Sequence, residues 1–148
     1  MSNLELKPIS CLDVDWLDKT EYKSLSIENR KALIRDSEKG LCKGEFFRFF
    51  IVIYEGEKIG VINMCGHGKD TVSVAPEILQ EYRLRGFGEK SLKEAYLIAK
   101  KTGFKELTAG IREDNLASIN LHLKMGFRFI KNHVSKNGVK LKIYSKQL

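Results

Sequence analysis

The chain predicts an α/β fold, and three observations carry that reading. Stretches with helical periodicity alternate with apolar runs of strand length; a glycine turn, R-L-R-G-F-G at residues 83–88, leads straight into a helical stretch; and Asn137-Gly138 separates two short strand-like runs near the C-terminus. With 148 residues, 43% of them hydrophobic and only two prolines, the chain suits one domain over residues 1–148, long enough for a core and too short for two.

Taken in order, residues 4–9 read as a first strand. Two helical stretches follow, over 12–19 and 27–39, the second with Gly40 as its stop. The pattern then turns to strand. Residues 46–54 and 58–64 form a hairpin about E-G-E-K, and 71–79 is a further strand interrupted by Pro76. The glycine turn opens a helix that carries Leu92, Ala95, Tyr96 and Ala99 on one face and stops at Gly103. Residues 106–111 form the next strand and a second helix begins near Asn115. Residues 127–134 and 139–144 then flank Lys136, Asn137 and Gly138 as a hairpin.

The glycine turn reads as an anion cradle. Gly86 and Gly88 permit a tight turn and close backbone approach, and the first N–H groups of the helix lie at the positive end of its dipole, where phosphate binds readily. Arg83 and Arg85 add charge. Taken alone, the glycine pair reads more readily as an ordinary loop whose glycines satisfy turn geometry. The P-loop pattern fails because Glu89 separates Gly88 from Lys90, and the dinucleotide fingerprint fails at Ser91.

On the second helix, N-L-A-S-I-N-L-H-L-K-M-G-F at 115–127, Asn115 and His122 lie about 20° apart on the helical wheel and look out together as a groove-facing stripe, while Leu116, Ile119 and Leu123 lean toward the core. Asn115 reads also as a helix N-cap, and His122 as a surface histidine.

These two segments resemble those of the GNAT superfamily of acyl-CoA-dependent N-acyltransferases, in which a Q/R-x-x-G-x-G/A turn is followed by N-x-x-A-x-x-L-Y-x-K-x-G-F. Arg83, Gly86 and Gly88 fill the first pattern. Asn115, Leu121, Lys124, Gly126 and Phe127 fill the second, with Ser118 for alanine and His122 for tyrosine. The resemblance implies a GNAT-like fold: a central, mostly antiparallel, twisted sheet of about seven strands flanked by about four helices. Strands four and five, 71–79 and 106–111, would splay to admit the thioester arm of CoA, with Pro76 at a bulge and Gly110 leaving room. It implies acetyl-CoA as cosubstrate, without a metal, held by Ile78, Leu79, Arg83, Leu84, Arg85, Gly86, Phe87, Gly88, Glu89, Asn115 and Ser118. His122, in the tyrosine's place, is the expected catalytic acid toward the leaving thiolate.

Two departures from the family pattern bear on mechanism. Gly110 stands where some N-terminal acetylating relatives carry a glutamate, leaving Glu77 or a water chain as base. Pro76 falls near the position whose amide meets the acyl carbonyl, so Ile78 or a shifted register must supply the contact.

The expected function is therefore acetyl transfer from acetyl-CoA to a primary amine of a small molecule or of a peptide or protein, directly, in a ternary complex. The alternative is a CoA-binding module with little or no transferase activity, motivated by His122, Gly110 and Pro76. An RNA-associated domain would need stacking aromatics in a basic groove; Phe46, Phe47, Phe49 and Phe50 sit instead in an apolar strand run.

Composition agrees. The 26 Lys and Arg against 19 Asp and Glu give +7, which favours anionic partners; CoA suffices and nucleic acid is not expected. The longest apolar stretch, 46–54, contains Arg48 and is too short to span a bilayer, so no membrane partner is expected. Cys11, Cys42 and Cys65 lack metal-type spacing and suit reduced thiols, which with the absence of an apolar N-terminal run makes cytoplasmic the expectation. Either a monomer or a homodimer fits.

Overall fold

A computed structural model describes residues 3–148; the first two residues of the expected domain lie outside the described residues. The strands are β1 (Leu4–Pro8), β2 (Leu41–Cys42), β3 (Glu45–Tyr54), β4 (Glu57–His67), β5 (Thr71–Ile78), β6 (Glu106–Arg112), β7 (Arg128–Val134) and β8 (Lys140–Gln147). The α-helices are α1 (Ile27–Lys39), α2 (Phe87–Thr102) and α3 (Leu116–Lys124). The expected strands four and five are β5 and β6, because the two-residue β2 adds one to the count.

The strands form one mixed sheet in the order β1-β3-β4-β5-β6-β8-β7, with β2 paired to β3. Every neighbouring pair is antiparallel except β5 and β6. That parallel pair holds for three residues only, Thr71 with Glu106, Val72 with Leu107 and Ser73 with Thr108, although both strands continue beyond it. Past Ser73 and Thr108 the sheet is therefore open.

Local chemistry explains most elements. Glu55 and Gly56, both with positive φ, make the two-residue turn between β3 and β4. Ser26 caps α1 by accepting from the Asn29 N–H, and Gly40, at φ 75°, ends it. Ser37 of α1 accepts from the Phe49 N–H at 2.8 Å, pinning the helix to β3. α1 covers one face of the sheet, where Ile34, Phe47, Phe49, Ile51 and Val61 pack. α2 and α3 cover the other, where Leu92, Ala95 and Ile119 of the helices cluster with Val72, Val74 and Leu107 of the sheet.

Two expectations need correction. The helix expected over 12–19 is a chain of short 3₁₀ turns, Cys11–Asp13, Trp16–Lys19 and Glu21–Ser24. Side chains there capture backbone groups that a continuous helix would use: Ser10 and Asp13 close a capping box, and Thr20 accepts from the Tyr22 N–H. The bulge expected at Pro76 is absent, since the β4–β5 register runs without a shift from Gly60 opposite Ile78 to His67 opposite Thr71.

Candidate active site

The open part of the sheet forms a cleft of about 770 Å³ between β5 and β6, closed above by the start of α2 and by α3. Pro76 contributes to the opening. The Leu79 N–H donates to the Ile59 carbonyl at 2.9 Å, so by antiparallel alternation Glu77 and Ala75 also face β4, and positions 74, 76 and 78 face the gap. Pro76 thus lacks a donor on the side where β6 would pair, and the first free N–H beyond it is that of Ile78. Gly60 allows β5 to sit this close, because a Cβ there would stand 2.3 Å from the Glu77 carbonyl oxygen.

The start of α2 supplies donors. Gly86, at φ 82°, is the N-cap without a side-chain cap, Leu84 has φ 64°, and none of the N–H groups from residue 84 to residue 89 meets an acceptor among the described residues. A row of unmet amides at a helix N-terminus fits an anion such as a pyrophosphate. The two glycines serve different purposes. Gly86 is needed for its backbone angle, with open space around it, whereas a Cβ on Gly88 would stand 3.3 Å from Leu121 Cδ2, so Gly88 lets α3 approach α2.

Of the residues expected at the cofactor, Ile78, Arg83, Leu84, Gly86, Gly88, Glu89, Asn115 and Ser118 line the cleft. Leu79 does not line it: its side chain is buried and its N–H donates to the Ile59 carbonyl. Phe87 is buried too, leaving only its backbone available. Arg85 lies outside the cleft wall and stacks its guanidinium over the Phe87 ring, 5.1 Å from the centroid. Arg83 Nε donates to the Ile78 carbonyl at 2.8 Å, fixing the side chain beside the gap. The Glu89 carboxylate, at the positive end of α2, accepts from Lys124 at 3.2 Å, and this contact holds it below the usual carboxylate range.

On α3, Asn115 is the N-cap, its Oδ1 accepting from the Ser118 N–H at 3.1 Å. His122 does not look out with it: the imidazole is 2% exposed and packs edge-on against Phe127, while Leu116 and Leu123, expected toward the core, are exposed. His122 nevertheless borders the cleft. Its Nδ1 lies 2.7 Å from the Ser118 carbonyl oxygen, and its Nε2 is buried without a partner among the described residues. Burial lowers its pKa below the ordinary histidine value, against the smaller upward pull of Ser118.

At the far side of β5 the Glu77 carboxylate is half-buried and accepts from the Glu21 N–H, at 3.2 and 3.0 Å to its two oxygens. Burial raises its pKa above the usual range, and the Glu21 hydrogen bond partly offsets this. Glu77 belongs to the cleft wall and also to a second depression of about 490 Å³, bordered by Lys19, Lys23, Gln80 and Glu81. Glu77 therefore stands where the two spaces meet. The Glu21 contact had no signal in the sequence, because it is made by a backbone amide 56 residues away. Gly110 lines the gap between the strands, as expected of a position kept small.

The profile of the acetyltransferase (GNAT) family matches residues 11–127. The chain belongs to that family and is an N-acetyltransferase by class. No curated protein sequence matches it significantly. Three solved structures are similar. RimL, a ribosomal L7/L12 alpha-N-protein acetyltransferase in complex with coenzyme A, has TM-score 0.84 at 15% identity, covering 100% of this chain and 96% of its own. An acetyl transfer enzyme from Salmonella typhimurium that modifies the N-terminal serine of the 50S subunit protein L7/L12 has TM-score 0.80 at 14% identity, covering 100% and 96%. The microcin C7 self-immunity acetyltransferase MccE, in complex with acetyl-CoA and AMP, has TM-score 0.78 at 16% identity, covering 99% and 93%. At these identities the likeness is one of fold.

Proposed function

We propose that the chain, as one domain, moves an acetyl group from acetyl-CoA to the α-amine of a peptide, a protein or a small molecule. The observation that carries this reading is the coincidence of two features. The β5–β6 pairing ends at Ser73 and Thr108, and the unmet amides of residues 84–89 stand at the same opening. One feature suits a thioester arm between strands and the other suits a pyrophosphate. Acetyl-CoA, when bound, supplies the acetyl thioester. Residues at Arg83, Gly86 and Gly88 would hold its diphosphate, and Ile78, Asn115 and Ser118 would border its arm.

In this reading the acceptor enters from the depression beyond Glu77 as an ammonium ion. Glu77, directly or through water, takes one proton and frees the nitrogen lone pair, a task easier for an α-amine of pKa about 8 than for a lysine of about 10.4. The nitrogen bonds to the carbonyl carbon as the carbon–sulfur bond breaks, and the Ile78 N–H donates to the oxygen on which negative charge builds. The second nitrogen proton leaves with the products, so amide, free thiol and one released proton balance the reaction. The likeness to RimL, an alpha-N-protein acetyltransferase, supports an α-amine of a protein as acceptor. Three unpaired cysteines suit a reducing, cytoplasmic setting. Among the described residues no helix is long and apolar enough to cross a membrane.

Thiol release from acetyl-CoA, followed with a panel of N-terminal peptides, lysine side-chain peptides and small α-amines, tests the reading. It predicts release that depends on an α-amine; a folded protein that releases thiol with none of them, or only with lysine side chains, contradicts it.

A further inference from the structure

The 3₁₀ turns that replace the expected first helix carry few backbone hydrogen bonds of their own, yet they deliver the amide that fixes Glu77. What holds them is a buried cation. Arg30 of α1, 3% exposed, spreads its guanidinium over the carbonyl oxygens of Leu25 at 3.2 Å, Val14 at 3.1 Å and Lys23 at 3.2 Å, and over Asp18 Oδ1 at 2.7 Å. A planar fork with five donors satisfies four acceptors from separate pieces of chain, which a lysine ammonium does not.

The last of these turns, Glu21–Ser24, is also fastened to the sheet. The Tyr22 hydroxyl accepts from Asn63 Nδ2 of β4 at 2.6 Å, its ring packs against Phe49 at 4.9 Å, and burial pushes the phenol up to about 12, so it stays protonated. Beside it, the Glu21 N–H meets Glu77 of β5. The turn thus bridges two strands at the edge of the cleft, with Arg30 gripping its Lys23 carbonyl from behind.

We propose that Arg30 is a positioning residue for acetyl transfer: it holds the turn Glu21–Ser24 against the sheet so that the Glu21 amide fixes the Glu77 carboxylate toward the incoming amine. The proposal rests on the reading of Glu77 as the proton acceptor. The charged and titratable groups around that carboxylate are Glu21, Tyr22 and Arg83, with Lys19, Lys23 and Glu81 bordering the depression.

The test has a readout independent of activity. In proton–nitrogen NMR spectra of the protein without acetyl-CoA, the Glu21 amide resonance should move with pH as Glu77 titrates, and Glu77→Gln should abolish that movement. In Arg30→Lys, and in Tyr22→Phe, which loosens the same turn from its other side, the movement should be lost. In both variants kcat/KM for the amine should fall about tenfold, with acetyl-CoA affinity within about twofold of the parent. A wild-type Glu21 amide that ignores pH, or one that follows Glu77 undiminished in both variants, would overturn the proposal. If Arg30→Lys does not fold, Asp18→Ala, which removes the charged partner of the guanidinium and is itself exposed, takes its place with the same expected losses. Loss of the coupling with unchanged kcat/KM would also overturn it, because Glu77, and Arg30's service to it, would then play no part in the reaction.

Discussion

Nδ1 of His122 stands 2.7 Å from the carbonyl oxygen of Ser118, one turn earlier on α3. A carbonyl oxygen only accepts, so Nδ1 carries the proton, and the neutral ring presents a bare lone pair at Nε2. Burial favours this neutral form. A tyrosine at the same place would offer a proton, whereas this imidazole at neutral pH offers a site for one. It is therefore poorly suited to wait as the acid for the departing thiolate, and a thiol of pKa about 8.5 leaves fairly well without one. We expect His122→Ala to lower kcat by about tenfold, below the usual effect of an essential acid or base, with acetyl-CoA affinity little changed. Steady-state kinetics and calorimetry on the same preparation check this; unchanged kcat removes His122 from catalysis.

The same lowered pKa has a sign in stability. The unfolded histidine binds a proton near pH 6.5 and the folded one only at lower pH, so the unfolded state binds more protons in the interval between. The contribution of the buried neutral ring is complete above about pH 6.5 and is lost as pH falls toward the folded-state value. Tm measured from pH 7.5 down to 5 should decline in that interval, and His122→Gln should flatten the decline. An unchanged slope in the variant contradicts the burial argument.

Gly86 and Gly88 should separate on substitution. Gly86→Glu meets open space but must adopt a left-handed backbone at a cost of about 1–2 kcal/mol, and it places a carboxylate among the α2 amides. It should fold and lose acetyl-CoA binding. Gly88→Val pushes on Leu121 and should loosen α3 against α2, which lowers Tm more than Gly86→Glu does. Calorimetry and thermal melts distinguish the two; binding retained in Gly86→Glu would rule out the α2 N-terminus as the diphosphate site.

Lys124 neutralises a carboxylate that would otherwise oppose an anion at α2. Lys124→Ala should weaken acetyl-CoA binding about threefold at low salt, with a smaller loss at high salt, and Glu89→Gln should strengthen it. An affinity that does not respond to either change would mean that the bound phosphates lie elsewhere.

Away from the cleft, Ser37→Ala leaves the buried Phe49 N–H without its 2.8 Å partner and should cost about 1–3 kcal/mol in denaturant unfolding while sparing acetyl-CoA affinity. A loss of affinity as large as the loss of stability would show that α1 docking and the cleft are coupled.

Much of this was legible in residues whose meaning is local. Gly40, Gly103 and the Asn137-Gly138 turn stop and reverse the chain where expected, because each supplies a left-handed angle that needs no partner. The glycine turn at Gly86 and the capping of α3 by Asn115 were equally readable. What could not be read depends on distant contacts. The stretch 12–19 has helical spacing, but Ser10, Asp13, Thr20 and a buried Arg30 divert its backbone into 3₁₀ turns. The helical wheel placed His122 outward because it treats a helix as alone, while Phe127 folds back over that face. Pro76 suggested a bulge, yet its missing N–H falls on the open side of β5, where nothing is lost. The proposed acceptor side, built from Glu21, Tyr22, Arg30 and Glu77, joins three parts of the chain, and its Glu77 and Arg30 contacts are made to backbone groups that carry no sequence signature.

The most direct test of the central claim is calorimetric titration of the purified protein with acetyl-CoA. The parted strands and the unmet amides of α2 predict saturable binding at one site per chain, weakened by added salt as a phosphate contact requires. A folded protein that takes up no acetyl-CoA would contradict the placement of every residue assigned to the cleft.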